Sequence, residues 1–386
     1  MWPVVRHELR KIATLPMIWG FLVICVALNL MFASLHVASI RDDIDFVGRT
    51  VAVAGTRVDG GFAGRVRHLP ESRQREDLLR ALEGDVRIPT GHDITELGRR
   101  YVDLLYSDER GPLANLMNDK YRTLAEHARA MHDSGMSSDL YLGVASERIH
   151  AALFGTVLGG VTWEAIAFAV LAMLYALGRE RLARTESTVM STRFGRRIVP
   201  AKMLAAGMIG VCGFLLFVLS AIAPYMTAFA DSPIWGMDVS GPFNRATTEL
   251  GEQPFLTWTR FTFAGYLGAS AALSFMLMLT ALLLAAVAGT LCRSMAAAFS
   301  ATGLVMFAAG ALPAVCAQNG WWEAYHLIVL IAAGPMHALL TRSMWFTDMG
   351  LKALVPWQES IETLASAIIL AIAVKMACRR FRGKDL

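Results

Sequence analysis

Six runs of predominantly apolar residues punctuate this chain, at roughly 15–38, 153–178, 203–229, 263–290, 295–316 and 359–378. A helix of about 20 residues crosses the hydrocarbon of a bilayer. The pattern therefore predicts an all-α integral membrane protein with six transmembrane helices. A seventh stretch, "YHLIVLIAAGPMHALL" at 325–340, meets Gly334-Pro335 after an apolar run of about ten residues. That run is too short to cross, and proline removes a backbone donor that lipid cannot replace. It is expected to be a re-entrant or surface segment before the last helix. Trp321, Trp322, Trp345 and Trp357 flank it as interface-anchoring aromatics would.

Two polar regions complete the pattern. The N-terminus, "MWPVVRHELRKIATLPMIWGF", places Val4, Val5, Leu9, Ile12 and Ala13 on one helical face, with Arg6, Arg10 and Lys11 on another. This spacing predicts an amphipathic interfacial helix, separated from the first span by Pro16. The apolar run that follows exceeds a signal-peptide h-region, so no cleaved leader is expected. Residues 39–152 form the one long polar region and read as a mostly helical extracellular domain. Leu113, Leu116, Met117, Tyr121 and Leu124 form a helical stripe there, while "VGRTVAVAGTRVDGGFAGRV" suggests a short strand or loop. The organisation is thus 1–38, interfacial helix and first span; 39–152, outer domain; and 153–386, the remaining five spans with a cytoplasmic loop at 179–202.

Composition agrees: 55% of the 386 residues are hydrophobic, and mean hydropathy is +0.45. The net charge of +4 matters less than its distribution. Arg6, Arg10 and Lys11, the 179–202 loop, Arg293, and Lys375, Arg379, Arg380, Arg382 and Lys384 all fall on one side of a six-span protein. Positive charge marks that side as cytoplasmic, with both termini, at the plasma membrane. The 230–262 loop is acidic and belongs outside. The five cysteines lie apart, in or beside apolar runs, as small buried hydrophobes. His68, His92, His127, His132 and His150 lack metal-ligand spacing.

Catalytic patterns are missing from the sequence. It has no G-x-x-x-x-G-K-[ST] phosphate loop and no H-E-x-x-H. Glu164 is the sharpest single residue, near the middle of the second span, where a carboxylate costs several kcal/mol unless protonated, paired or wetted. Two readings stand: a group lining a translocation path, together with Asn29, or a neutral side chain bonded to a neighbouring helix. Gly207, Gly210 and Gly213 give the third span a small-residue face for close packing, and Pro224 is expected to kink it.

The remaining feature is the stretch "ALGRERLARTESTVMSTRFGRRIVPAK" at 176–202, basic between two apolar runs. Thr185 to Met190 can form a short amphipathic helix, and Gly195 a tight turn. An amphipathic start, one span, a large outer domain, a second span ending in this loop, then four spans with a broken segment before the last: this order resembles the membrane subunit of ABC-2-type transporters. Locally the resemblance rests on Glu180 and Glu186, Ser191-Thr192, Gly195-Arg196-Arg197 and Lys202. Arg193 stands where the family usually has proline, and Ser187 where it has glycine. The resemblance implies that these residues couple the spans to a separate ABC ATP-binding subunit, which holds the ATP and Mg. It also implies a second copy or homologue of the permease, contact with lipid, no nucleic-acid partner, and no cofactor or catalysis in this chain. The other readings are a membrane sensor or assembly protein with a ligand-binding outer domain, and an intramembrane enzyme.

Overall fold

The computed structural model describes residues 2–84, 90–105, 111–133, 139–185, 195 and 198–382. The chain is predominantly helical. Among the described residues, seven helical stretches are long and apolar enough to cross a membrane: Pro16–Ala54, Gly143–Leu182, Ile198–Phe229, Phe263–Leu291, Met295–Gln318, Trp322–Leu340 and Gln358–Arg380. The chain is a multi-pass membrane protein.

Six of these cover the six apolar runs. The seventh is the broken segment, and it is longer than its apolar core. Helix α12 (Trp322–Ile328) passes through π turns at Val329–Ala333 into α13 (Gly334–Leu340). Pro335 falls in the first turn of α13, where its missing N–H is an orphan in any case. The proline therefore restarts the helix. This segment runs back along α11 (Met295–Gln318): Tyr325 and Val329 cluster with Cys316, and Met336 and Leu340 reach Gly310. Trp322 at its start and Trp357 beyond its end both pack on one cluster in the polar domain. Of the four expected anchor tryptophans, Trp321 is exposed, whereas Trp345 is buried and donates to Ala338 O at 2.6 Å.

The amphipathic helix α1 (Trp2–Ala13) buries Val5, Glu8 and Ile12. Helix α2 (Pro16–Ala54) is unbroken over 39 residues. At 1.5 Å per residue it is about 58 Å long, against about 30 Å of hydrocarbon. The domain boundary at 38 therefore lies inside a rigid helix that continues into the polar domain. The stretch "VGRTVAVA" is its last turns, where a strand or loop is expected from sequence. Gly55, with φ 82°, ends it.

The polar domain, or cap, continues through α3 (Phe62–Val66), α4 (Arg73–Glu83), α5 (Gly91–Leu105), α6 (Pro112–Asp133) and α7 (Ser146–His150). Met117, Tyr121 and Leu124 of the predicted stripe are buried against Ile94, Tyr101 and Val102, while Leu116 is exposed. Gly98 lets α5 and α6 touch, since a Cβ there would come within 2.5 Å of Tyr121. The 230–262 connection joins the cap through Leu256 and Trp258. It carries the short antiparallel hairpin β1 (Arg245–Thr248) and β2 (Gly251–Pro254), an exception to the all-α expectation.

Beyond α7, π turns at Ala151–Val157 lead into α8 (Leu158–Leu182). Helix α9 (Ile198–Phe229) packs on α8 and α2 and contains Pro224. The expected small face is used: a Cβ on Gly213 would lie 2.3 Å from the Phe168 ring, and one on Gly210 3.3 Å from Ala169. Between helices in lipid the hydrophobic effect is weak, so such close approach supplies the attraction. Helices α10 (Phe263–Leu291) and α14 (Gln358–Arg382) complete the bundle. His337 of α13 is held on α14, its Nδ1 3.2 Å from Glu362 Oε2, and Gln358 donates to Glu362 Oε1 at 2.5 Å.

Candidate functional site

The residues flanking the basic loop converge at the end of the bundle opposite the cap. Glu180 is in the last turn of α8, and Lys202 is in the first turns of α9. Both are buried, and the Lys202 ammonium pairs with the Glu180 carboxylate. Lys202 also donates to Ala176 O at 2.9 Å and lies 3.7 Å from Glu8 Oε2. Glu8, only 2% exposed, accepts from Lys11 at 2.7 Å, and Lys11 returns to Glu180 Oε1 at 3.6 Å. Two cations and two carboxylates alternate, so the cluster is neutral and each charge faces its opposite. Burial of single charges would be prohibitive; burial of this ring of pairs is not.

Two further arginines join the arrangement. Arg179 Nη1 reaches Lys11 O at 3.5 Å, and Arg181 Nη1 donates to Gly289 O at 3.2 Å and Cys292 O at 2.7 Å. Arg181 thereby satisfies carbonyls at the C-terminal end of α10, where a helix leaves acceptors unpaired. One end of the bundle is thus clamped: α1, α8, α9 and α10 are tied together where α8 ends and α9 begins. Glu180 and Lys202 are internal parts of that clamp, not a free surface. Gly195 is buried. Glu186, Ser191, Thr192, Arg196 and Arg197, with most of the expected Thr185–Met190 helix, lie outside the described residues.

The sequence carries a signal for the burial of Glu8. Val5, Glu8 and Ile12 share the i, i+3, i+7 spacing of one helical face, so a carboxylate interrupts the apolar stripe. A charge in that position requires a buried partner.

The two residues assigned to a translocation path also meet. Asn29 Nδ2 donates to Glu164 Oε2 at 2.8 Å, joining α2 to α8, and the Cys25 thiol lies beside the same carboxylate. Asn29 is buried and Glu164 is partly exposed beside the exposed Trp163. Glu164 thus contacts a neighbouring helix, and its partial exposure leaves one side of the carboxylate open. Glu164→Gln is expected to leave the thermal unfolding midpoint of the purified protein unchanged, because the amide oxygen still accepts from Asn29. Glu164→Leu strands that donor and is expected to cost about 1–3 kcal/mol. Equal midpoints for the Leu and Gln variants would show that the bond does not hold the helices.

Among the described residues, no group of three or more His, Cys, Asp or Glu side chains is placed to hold a metal ion. Comparison with known families, curated proteins and solved structures finds no match to this chain.

Proposed function

We propose that this chain is the permease subunit of an ATP-driven ABC-2-type exporter, coupled through the 179–202 loop to a separate ATP-binding subunit. The observation that carries this reading is the clamp. Glu180 and Lys202, 22 positions apart at the two ends of the loop, close on each other and on Glu8 of the amphipathic helix. A loop rooted in paired buried charges cannot shift without moving α1, α8 and α9, and α10 through Arg181. Force applied there by a partner reaches four helices at once.

In this reading six helices cross and Trp322–Leu340 returns toward the cap. The packing of both Trp322 and Trp357 on the cap cluster supports that path. It also puts Arg6, Arg10 and Lys11, the 179–202 loop, Arg293 and the basic tail on one side, the cytoplasmic face of the plasma membrane, with both termini. ATP and Mg belong to the partner, a second permease copy or homologue completes the transporter, and this chain performs no catalysis. Glu164 and Asn29 lie along the translocation path.

Arg196→Ala combined with Arg197→Ala tests the coupling. Guanidinium pairs bind carboxylates through a fixed fork, so their position matters as well as their charge. The double variant is expected to insert normally, since Arg179, Arg181, Arg184 and Lys202 retain the positive loop. It is expected to lose most co-purifying ATPase, or to hydrolyse ATP without transport in proteoliposomes. Normal ATPase binding together with wild-type transport would reduce the loop to a topological anchor.

A further inference from the structure

A cavity of about 410 Å³ opens on the flank of the cap, between α2, α4 and the turn that precedes α7. Its size falls within the range of small-ligand pockets, roughly 300–1,000 Å³. The floor is apolar and buried, built from Phe46, Leu78, Leu140 and Leu142. The rim is charged, with Asp43 and Arg148 on one side and Arg73 and Asp77 on the other.

The wall formed by the turn is fixed in place. Leu140 N donates to Thr56 O at 2.8 Å, and Ser146 Oγ donates to Gly143 O at 2.5 Å. Tyr141 holds a φ of 50°, in the left-handed region that costs a non-glycine residue about 1–2 kcal/mol. Its ring is fully buried and its hydroxyl lies 3.0 Å from His150 Nδ1, which keeps the turn in that conformation. The pocket is therefore formed before any ligand arrives.

The unused guanidinium donors select the ligand. Asp43 is already paired with Arg148, and Asp77 accepts from Arg80 at 2.9 Å with Arg73 3.7 Å away. At the rim, two guanidiniums thus stand beside two carboxylates that each already meet a guanidinium. The Arg148 and Arg73 side chains are 60% and 91% exposed, and only Nη2 of Arg148 is hydrogen-bonded among the described residues. Both arginines therefore keep guanidinium donors for a further acceptor. The depth is equally specific. Asp43 lies just past the apolar run of α2, and Arg148 just before the π turns that open the next long apolar helix. Cationic side chains at that level sit among lipid head groups.

We propose that this cavity binds an amphipathic anion, its carboxylate or phosphate on Arg148 and Arg73 and its hydrocarbon on Phe46, Leu78 and Leu142. The proposal is independent of the ATPase partner. The test uses the full chain in nanodiscs of neutral phosphatidylcholine, titrated with 11-(dansylamino)undecanoate and followed by dansyl fluorescence. Saturable binding that weakens with salt is expected, absent for the uncharged amide of the same probe. Arg148→Gln is expected to weaken binding about tenfold, the effect of one charge-assisted bond. Arg73→Gln, at an exposed position that folding tolerates, is expected to weaken it several-fold. Two competitors identify the source: octanoate in the buffer displaces the probe if the site takes free anions, and phosphatidylglycerol in the disc displaces it if the site takes lipid. Displacement by neither, identical uptake of acid and amide, or unchanged affinity in both arginine variants would overturn the proposal. Any of these outcomes leaves the coupling reading untouched, because no ATP or ATPase enters the measurement.

Discussion

Lys202→Met is expected to destabilise the protein by about 3–5 kcal/mol, the usual cost of removing one member of a buried ion pair. The side chain is almost inaccessible and faces Glu180, Glu8 and the carbonyl of Ala176. Methionine preserves the apolar stem but leaves two buried carboxylates to share Lys11 alone. Lys11 is the more exposed cation and lies 3.6 Å from Glu180. Water must then enter, or a carboxylate must take up a proton, and either loosens α1 from α8 and α9. Adding Glu180→Leu should restore most of the loss, because replacing both members of a buried pair with apolar groups is often neutral. Unfolding in mixed micelles reads both effects. A Lys202→Met midpoint equal to wild type would mean that the clamp carries no stability.

Much of this architecture was legible in the sequence, for reasons that differ from element to element. Lipid compels long apolar runs, so the six clean runs mark their helices directly. Residues 325–340 are ambiguous because proline breaks a helix interior yet suits a helix start, and hydropathy does not say which role Pro335 takes. Glu180 and Lys202 stood out within a recognisable loop. Their contact with Glu8 did not, because the amphipathic face of α1 is read from its majority of apolar positions and one dissenting carboxylate is averaged away. Asn29 and Glu164 were each conspicuous as polar residues in apolar runs. Their mutual bond, across 135 positions, is a property of helix packing that single-chain periodicity does not contain. Lys120 carries no signal of its own, although it lies three residues after Met117 and four before Leu124, inside the very stripe that marks α6 as amphipathic. The stretch at 341–357 has no period at all, and what it offers Lys120 is backbone, on which the side-chain pattern is silent.

Lys120→Met should open that stretch. The ammonium of Lys120 is buried, donates to Asp348 O at 3.0 Å and to Gly350 O and Ala353 O at 2.7 Å each, and lies 4.6 Å from the Tyr121 ring centre. Asp348 accepts from the Tyr121 hydroxyl at 2.5 Å and from Gly350 N at 3.2 Å. One side chain of α6 thereby gathers the backbone that leads from the broken segment into α14. Methionine fits the space but leaves three buried carbonyls unpaired, at about 1–3 kcal/mol each, and a buried Asp348 without its counter-charge. Amide hydrogen exchange at Gly350–Leu354 is expected to speed up more than about tenfold, or roughly 1.4 kcal/mol of lost local stability. The wild-type response to pH has a definite sign. Burial lowers the Lys120 pKa to about 8 from the ordinary 10.5, against the opposing pull of Asp348 and Glu249. Between those values the open form binds the proton that the closed form has released, so closed-state stability rises with pH across this window. From pH 7 to pH 9 protection of these amides, corrected for intrinsic exchange, should increase roughly tenfold, and the Met variant should lose that dependence. Protection that falls over the same range in the wild type would mean that the carbonyls require the charged ammonium, and that the latch opens when Lys120 loses its proton.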